Sequence, residues 1–399
     1  MRILIAAISA ASELSGVQRH AFNLASCLLN LPEIVSVELV IAPWQAHMAA
    51  AHAPIEAGRL QIHVEEMRNT VVARNIWFYT RFPSLARALN VDLVHASYPV
   101  PLQREAFHCP IVVTLHDLYP YEAPRNFGWI KAWLNRRVLQ QCLRNTDRIA
   151  CVSDATMAAL KTHAAPRIWR KASRIYNNVE LAGVSPQPHR PEGLVPADNR
   201  FLLCVAQHRH NKNIALALRS FHLLLRRRAI DAKTRFLLVG IPGPETPHIQ
   251  QLIEELGLRG LVILAEGLPD EVLLWCYEHC AALVMPSHTE GFGLPAVEAQ
   301  LAGCPVICSD IPALREVGAE RCTFVPLVGD SVAAFANAIS ESLNRPRPQP
   351  VLLHQFCTTQ IAREYSALYQ EVFATFKTVS VLRSATALSS STASERPTP

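Results

Sequence analysis

The sequence predicts an α/β protein of two parallel-sheet domains joined by a linker. Three observations predict it. Short apolar runs alternate along the chain with segments of helical period. The runs are continuously apolar rather than alternating, as in strands covered on both faces. A Pro-rich stretch without periodicity, residues 183–199, divides a chain whose 399 residues leave room for two cores.

Taken in order, residues 3–8 form the first strand. The loop containing Gly16 follows, then a helix with Ala21, Leu24, Ala25, Leu28 and Leu29 on one face. Gly16 therefore lies in a βα loop, on the side of an open sheet where ligands bind; a plain turn glycine is an equal alternative. Residues 37–42 and 60–64 read as strands, and residues 65–90 carry four arginines among Trp77, Phe78 and Tyr79. Residues 91–97 and 111–115 read as central strands, the second ending in His116-Asp117. A helix over about 129–144 mixes Trp129, Lys131, Trp133, Arg136, Arg137 and Arg144. It could lie on a membrane surface, but an amphipathic surface helix with buried Trp is preferred, since its charges do not segregate. Residues 147–153 are a strand, and Ser153 reads as the N-cap of the next helix. Asn178, in Tyr176-Asn177-Asn178-Val179, reads as a left-handed turn residue.

The second domain opens with a strand at 201–206, the loop Gln207-His208-Arg209-His210-Asn211-Lys212-Asn213, and a helix over 214–228. Strands at 236–240 and 262–264 and a helix at 249–256 follow. Asp270 reads as the cap of a helix over 271–278. Residues 281–285 form a strand, and 332–343 and 356–377 read as helices. The Ser-, Thr- and Ala-rich residues 378–399 read as a disordered tail. The resulting division is 1–185, linker 186–199, 200–355, a closing helix 356–377, and the tail.

Composition excludes several classes. The net charge of +5 supports neither nucleic-acid binding nor a strong membrane field. No apolar stretch reaches the length of a membrane span. The opening residues resemble a short signal sequence, but Glu13 and Gly16 arrive too soon and a βα unit fits better. The eleven cysteines form no CxxC pair and read as reduced, buried thiols of a cytoplasmic protein, with the inner face of the plasma membrane a second setting.

The chemistry concentrates in Pro286-Ser287-His288-Thr289-Glu290-Gly291-Phe292-Gly293-Leu294-Pro295-Ala296-Val297-Glu298-Ala299. Pro295 suits a first helical turn, and Gly303 with Pro305 suits its end. Helix N-termini attract anions, and Gly291 and Gly293 let a ligand approach the backbone closely. Glu290 and Glu298 at such an end would ligate phosphate poorly and accept sugar hydroxyls well. The pattern points to a nucleotide sugar; the plain alternative is an αβ turn with solvated glutamates.

Glu290-Gly-Phe-Gly-Leu-Pro, Glu298-Ala and Gly303-x-Pro305-Val306-Ile307 resemble family 4 of the retaining glycosyltransferases. The resemblance implies the GT-B fold: two Rossmann-like, doubly wound parallel-sheet domains facing across a cleft. It implies that Glu298 accepts ribose hydroxyls, that Glu290 holds the donor sugar, and that backbone N–H groups of Phe292, Gly293 and Leu294 meet sugar or phosphate. Arg209 and Lys212 would neutralise the diphosphate, Gly267 and Leu268 would meet the base, Gly16 would lie beside the diphosphate, and His116 would face the donor sugar. A structural role for His116, and solvated Arg209 and Lys212, remain alternatives from the residues alone. No Asp-x-Asp ends a strand, so no metal and no cofactor are expected, and no nucleic acid. The resemblance implies a GDP-mannose-like donor or a UDP-sugar, a glycan or lipid-linked sugar as acceptor, and a place in polysaccharide biosynthesis, with peripheral membrane contact open. An epimerase or phosphorylase of the same fold, and an inactive binding protein, are the alternatives.

Overall fold

The computed structural model describes residues 1–53, 58–179, 195 and 200–392, those beyond 378 as backbone alone. The linker, apart from Val195, lies outside the described residues, as do 393–399. The first domain contains β1 (Arg2–Ala6), α1 (Gly16–Leu29), β2 (Ser36–Ile41), α2 (Ala46–His52), β3 (Leu60–Val64), α3 (Val71–Ala88), β4 (Leu93–Ala96), β5 (Ile111–Leu115), α4 (Tyr119–Glu122), α5 (Trp129–Asn145), β6 (Arg148–Cys151), α6 (Asp154–His163), α7 (Pro166–Trp169) and β7 (Ala172–Arg174). Its strands run parallel in the order β3-β2-β1-β4-β5-β6-β7.

The second domain contains β8 (Phe201–Val205), α8 (Ile214–Arg226), β9 (Arg235–Val239), α9 (Thr246–Glu255), β10 (Val262–Ala265), α10 (Asp270–His279), β11 (Ala282–Met285), α11 (Leu294–Leu301), β12 (Val306–Ser309), α12 (Pro312–Gly318), β13 (Cys322–Val325) and α13 (Ser331–Leu343), and α14 (Thr358–Thr392) closes the chain. Its parallel order is β10-β9-β8-β11-β12-β13. Both sheets reverse direction of winding once, between β1 and β4 and between β8 and β11. Such switch points leave a crevice beyond the strand ends. This is the GT-B architecture expected from the sequence.

The central strands are buried, apart from Arg2 at the start of β1, which explains their continuous apolar runs. In the first domain α3 and α5 cover one face and α1 and α14 the other. In the second, α8, α9 and α13 cover one face and α10, α11 and α12 the other.

Helix α14 packs on the first domain, with Tyr365 and Tyr369 fully buried. The Tyr369 hydroxyl lies 2.6 Å from His95 Nδ1, and His95 Nε2 lies 2.8 Å from Thr114 Oγ1. The helix runs past Lys377 to Thr392. Composition had placed a disordered tail from 378; no glycine or proline interrupts the segment before Pro397, so the docked half has nothing local to end it.

Two further expectations are corrected. Asn178 is absent from the positive-φ residues; its side chain instead donates to Phe356 O and Thr358 Oγ1, at 3.3 and 3.0 Å, tying the start of α14. Trp129 and Trp133 are not buried: they are 82% and 53% exposed, beside exposed Ile130 and Leu134.

Tyr369 tests how α14 is held. Tyr369→Phe removes one buried hydrogen bond to His95 and should cost about 1–2 kcal/mol, whereas Tyr369→Ala adds a cavity and should cost about 3–5 kcal/mol. Denaturant unfolding reads both, and equal losses would contradict this account.

Candidate functional site

The loop after β11 brings the two domains together. Gly291 sits so close to β5's end that a Cβ there would fall 1.7 Å from the His116 carbonyl oxygen; only glycine fits. The Gly291 carbonyl accepts from Ser153 Oγ at 2.5 Å and Thr156 Oγ1 at 3.0 Å. Ser153 also caps α6, as the sequence predicted, accepting from Thr156 N at 2.9 Å. Glu316 of α12 reaches the same helix end, accepting from Asp154 N and Ala155 N at 2.7 and 3.0 Å. Gly293, at φ 100°, precedes α11 in a conformation that favours glycine. Phe292 is 4% exposed and packs on Tyr176 and Phe356, so its side chain belongs to the core and its backbone alone can meet a ligand.

Glu290 lies at the centre. Lys212 Nζ is 2.7 Å from both of its carboxylate oxygens, and the two side chains are 19% and 5% exposed. Ser287 Oγ donates to Oε1 at 2.8 Å, and Tyr119 Oη lies 3.5 Å from Oε2. The acceptor positions of the carboxylate are thus largely occupied. Lys212 closes a short 3-10 turn, His210–Lys212, that begins at Arg209. Burial pushes the Asp117 carboxyl up to about 6, against the opposing pull of Arg209 and Lys212. Asp117, from the first domain, therefore lies within reach of the charges of Arg209 and Lys212 from the second.

Glu298, one turn into α11, is half-buried and accepts from Tyr277 Oη at 2.7 Å. Burial raises its pKa, while Arg19 of α1 and Tyr277 draw it down. Arg19 makes a bidentate pair with Asp270 across the cleft, at 3.0 and 2.6 Å. This corrects the reading of Asp270 as a helix cap. It is the first residue of α10, caps nothing with its side chain, and spends its carboxylate on Arg19.

His116 donates from Nε2 to the Ser97 carbonyl at 2.8 Å, which leaves Nδ1 as an acceptor. Burial holds its pKa down at about 4, so the ring is neutral at physiological pH. His20 meets it edge-on, with ring centroids 4.8 Å apart. Gly16 begins α1 and faces Leu294, the first residue of α11; a Cβ on Gly16 would make an ordinary 3.8 Å contact with Leu294 Cδ1, so sterics do not demand glycine there. The N-termini of α1 and α11 thus face one another, and neither has an acidic residue in its first turn. Gly267, at φ 60°, and half-buried Leu268 form the exposed turn leading into α10.

Sequence reasoning missed Arg19, Asp117, Tyr119 and Tyr277. Arg19 lies one turn beyond Gly16 and Asp117 adjoins His116, so proximity in sequence was a signal for both. Nothing local marks Tyr119 or Tyr277, whose partners come from other elements. Among the described residues, no group of three His, Cys, Asp or Glu is placed to hold a metal, and no helix is long and apolar enough to cross a membrane.

Two family models match the chain: "Glycosyltransferase Family 4" over residues 14–182 and "Glycosyl transferases group 1" over residues 187–353. O-antigen chain mannosyltransferase B of Escherichia coli is 27% identical over 216 residues, 52% of this chain and 54% of that protein. D-inositol 3-phosphate glycosyltransferase of Thermobispora bispora is 27% identical over 274 residues, 64% of this chain and 63% of that protein. The chain thus spans between half and two thirds of the length of these curated relatives. Among solved structures, Anabaena HepE in complex with UDP and glucose superposes with a TM-score of 0.61 at 16% identity, covering 98% of this chain and 100% of that one.

The buried histidines make a pH prediction. Burial lowers His20 well below its ordinary value, His95 to about 3 and His116 to about 4. The unfolded chain binds protons that these rings refuse, so each contributes stability that is present above about pH 6.5 and lost as pH falls, at up to about 1.4 kcal/mol per pH unit. The raised carboxyls of Asp117, Glu122 and Glu298 act in the opposite direction. The comparison that isolates one ring is wild type against His95→Gln: the variant should lose less stability between pH 7 and 5 in denaturant melts. Parallel profiles would refute the assignment.

Proposed function

Because the chain belongs to the group 1 glycosyltransferases, we propose that it is a retaining, metal-independent glycosyltransferase that moves a hexosyl group from a nucleotide sugar to a glycan or lipid-linked acceptor in polysaccharide assembly. The observation that carries this reading is the pairing of two unshielded helix N-termini, α1 and α11, across a cleft that also holds Lys212 and Glu290. Helix ends and basic side chains together suit a diphosphate, and the carboxylates beside them suit hydroxyls.

The charges then exchange partners on binding. The donor diphosphate takes Lys212, with Arg209 beside it, and this frees Glu290 oxygens for hydroxyls of the donor sugar. Backbone N–H groups of Gly293 and Leu294 face the same anion. Glu298 accepts the ribose hydroxyls, and the turn at Gly267 and Leu268 borders the base. Neutral His116 offers Nδ1 to a sugar hydroxyl. As the sugar–phosphate bond breaks, charge grows on the diphosphate, and Lys212 and Arg209 stabilise it more than they stabilise the ground state. Once Lys212 turns to the diphosphate, Glu290 is taken up by donor-sugar hydroxyls, and Glu298 by Tyr277 and the ribose, so neither carboxylate is assigned the role of nucleophile. Retention then proceeds by attack on the face the phosphate leaves, with a phosphate oxygen taking the acceptor's proton.

The name of the Escherichia coli relative favours a mannose donor, and the ligands of HepE favour UDP and glucose; both donors are tested together. One nucleotide sugar of a GDP, UDP, dTDP and ADP panel should raise the melting temperature, since it binds the folded state alone. Transfer from that donor should proceed in EDTA, with the product keeping the donor's anomeric configuration. Glu298→Ala should abolish the shift, and Lys212→Ala should lower kcat by roughly 100- to 1,000-fold. An inverted product, a metal requirement, or an intact shift in Glu298→Ala would each overturn the part it addresses.

Exposed Trp129, Ile130, Trp133 and Leu134 support membrane contact at the cleft rim. They begin just beyond Asn126, which donates to Asn211 Oδ1 across the cleft at 2.9 Å. Lys131, Arg136 and Arg137 share their helix, and the Arg137 guanidinium lies 5.1 Å from the Trp133 ring centre. This suits an anionic interface, where Trp anchors at headgroup depth. The protein should sediment with vesicles of anionic phospholipid and not with neutral ones, and Trp129→Glu with Trp133→Glu should abolish it. Equal sedimentation of that double variant would remove the helix from the interface.

A further inference from the structure

Arg19 and Asp270 meet across the cleft beside Glu298, and the donor contacts described above do not use them. Arg19 lies one turn into α1, past Gly16, and Asp270 opens α10. Their pair is bidentate, with both side chains 28% exposed, and His52 Nδ1 lies 3.6 Å from the same carboxylate. Helix α10 also carries Tyr277, two turns after Asp270 and so on the same face, and the Tyr277 hydroxyl holds Glu298. One helix therefore takes the first domain's arginine at its start and the Glu298 carboxylate further along.

We propose that Arg19 is a positioning residue: through Asp270 it draws the first domain over the nucleoside end of the donor and sets α10, and with it Tyr277 and Glu298, for the ribose. This rests on the reading of Glu298 as the ribose acceptor.

The local electrostatics support it. An acid at the first position of a helix is favourable with or without a partner, whereas an arginine facing that helix end is unfavourable. Asp270 is therefore what makes the approach of Arg19 attractive. Remove it, and Arg19 loses its bidentate partner and keeps only the more distant attraction of Glu298 and of Glu271 in the same helix turn, so Asp270→Ala should open the cleft as Arg19→Ala does. Lysine keeps the charge of arginine and loses the fork, so Arg19→Lys should fall between Arg19→Ala and wild type.

The test uses the full chain and the variants Arg19→Ala, Asp270→Ala, Arg19→Ala/Asp270→Ala and Arg19→Lys. Small-angle scattering without ligand reads closure, calorimetric titration with GDP and with UDP reads nucleotide binding, and steady-state kinetics reads the donor. Each alanine variant should enlarge the radius of gyration and weaken binding of the responding nucleotide roughly tenfold, with the double variant no weaker than either, as coupled residues behave. Donor KM should rise while kcat changes little. Additive losses, an unchanged radius, or damage confined to Arg19→Ala would overturn the proposal, the last by making Arg19 a direct ligand. Should wild type bind neither nucleotide, the donor reading fails, while scattering still decides whether the pair closes the cleft.

Discussion

The structure turns on one close approach, Gly291 against the carbonyl of His116. No side chain can stand between them, and a Cβ at 291 would fall 1.7 Å from that oxygen. The contact is made tolerable by hydroxyls: Ser153 and Thr156 both donate to the Gly291 carbonyl, which would otherwise be buried without a partner. Since Gly291 belongs to the loop after β11 and His116 to the end of β5, this contact holds the C-terminal edges of the two sheets together. The facing helix ends, the lysine–glutamate pair and the neutral histidine all depend on it for their relative placement.

Around that contact, the cleft pairs its charges by proximity rather than by burial alone. Glu290 is clasped by Lys212, Asp270 by Arg19, and Glu298 by a tyrosine hydroxyl with Arg19 nearby. Such partners offset the cost of drawing a carboxylate out of water. The same pairs make the site exchangeable: an incoming diphosphate offers Lys212 a stronger partner, and the glutamate it releases can turn to hydroxyls.

The first domain meets this cleft with a core that is polar at its centre. His20 and His95 both reach Thr114, and His95 reaches Tyr369 of α14. These rings are neutral because burial disfavours their charged forms, and neutrality is what lets each nitrogen serve as donor or acceptor in the network. The closing helix is therefore joined by hydrogen bonds to the layer directly beneath His116, and Asn178 fastens the start of that helix.

Much was legible in the sequence. Continuous apolar runs located the buried parallel strands, and the glycines and Pro295 located the loop-to-helix turn, because backbone conformation and burial write themselves into local residue choice. β7 and β13 escaped notice, being short and only partly apolar. What the tertiary structure decided is who meets whom. Asp270 has the spacing of a helix cap and serves Arg19 instead, Asn178 has the look of a turn residue and serves α14, and the tryptophans of α5 have the look of core and face outward. Each of these outcomes depends on a partner, or on the lack of one, hundreds or tens of residues away, and no local pattern encodes that. Conformational preference is a property of neighbours in the chain, whereas hydrogen bonds and ion pairs across a cleft are properties of neighbours in space.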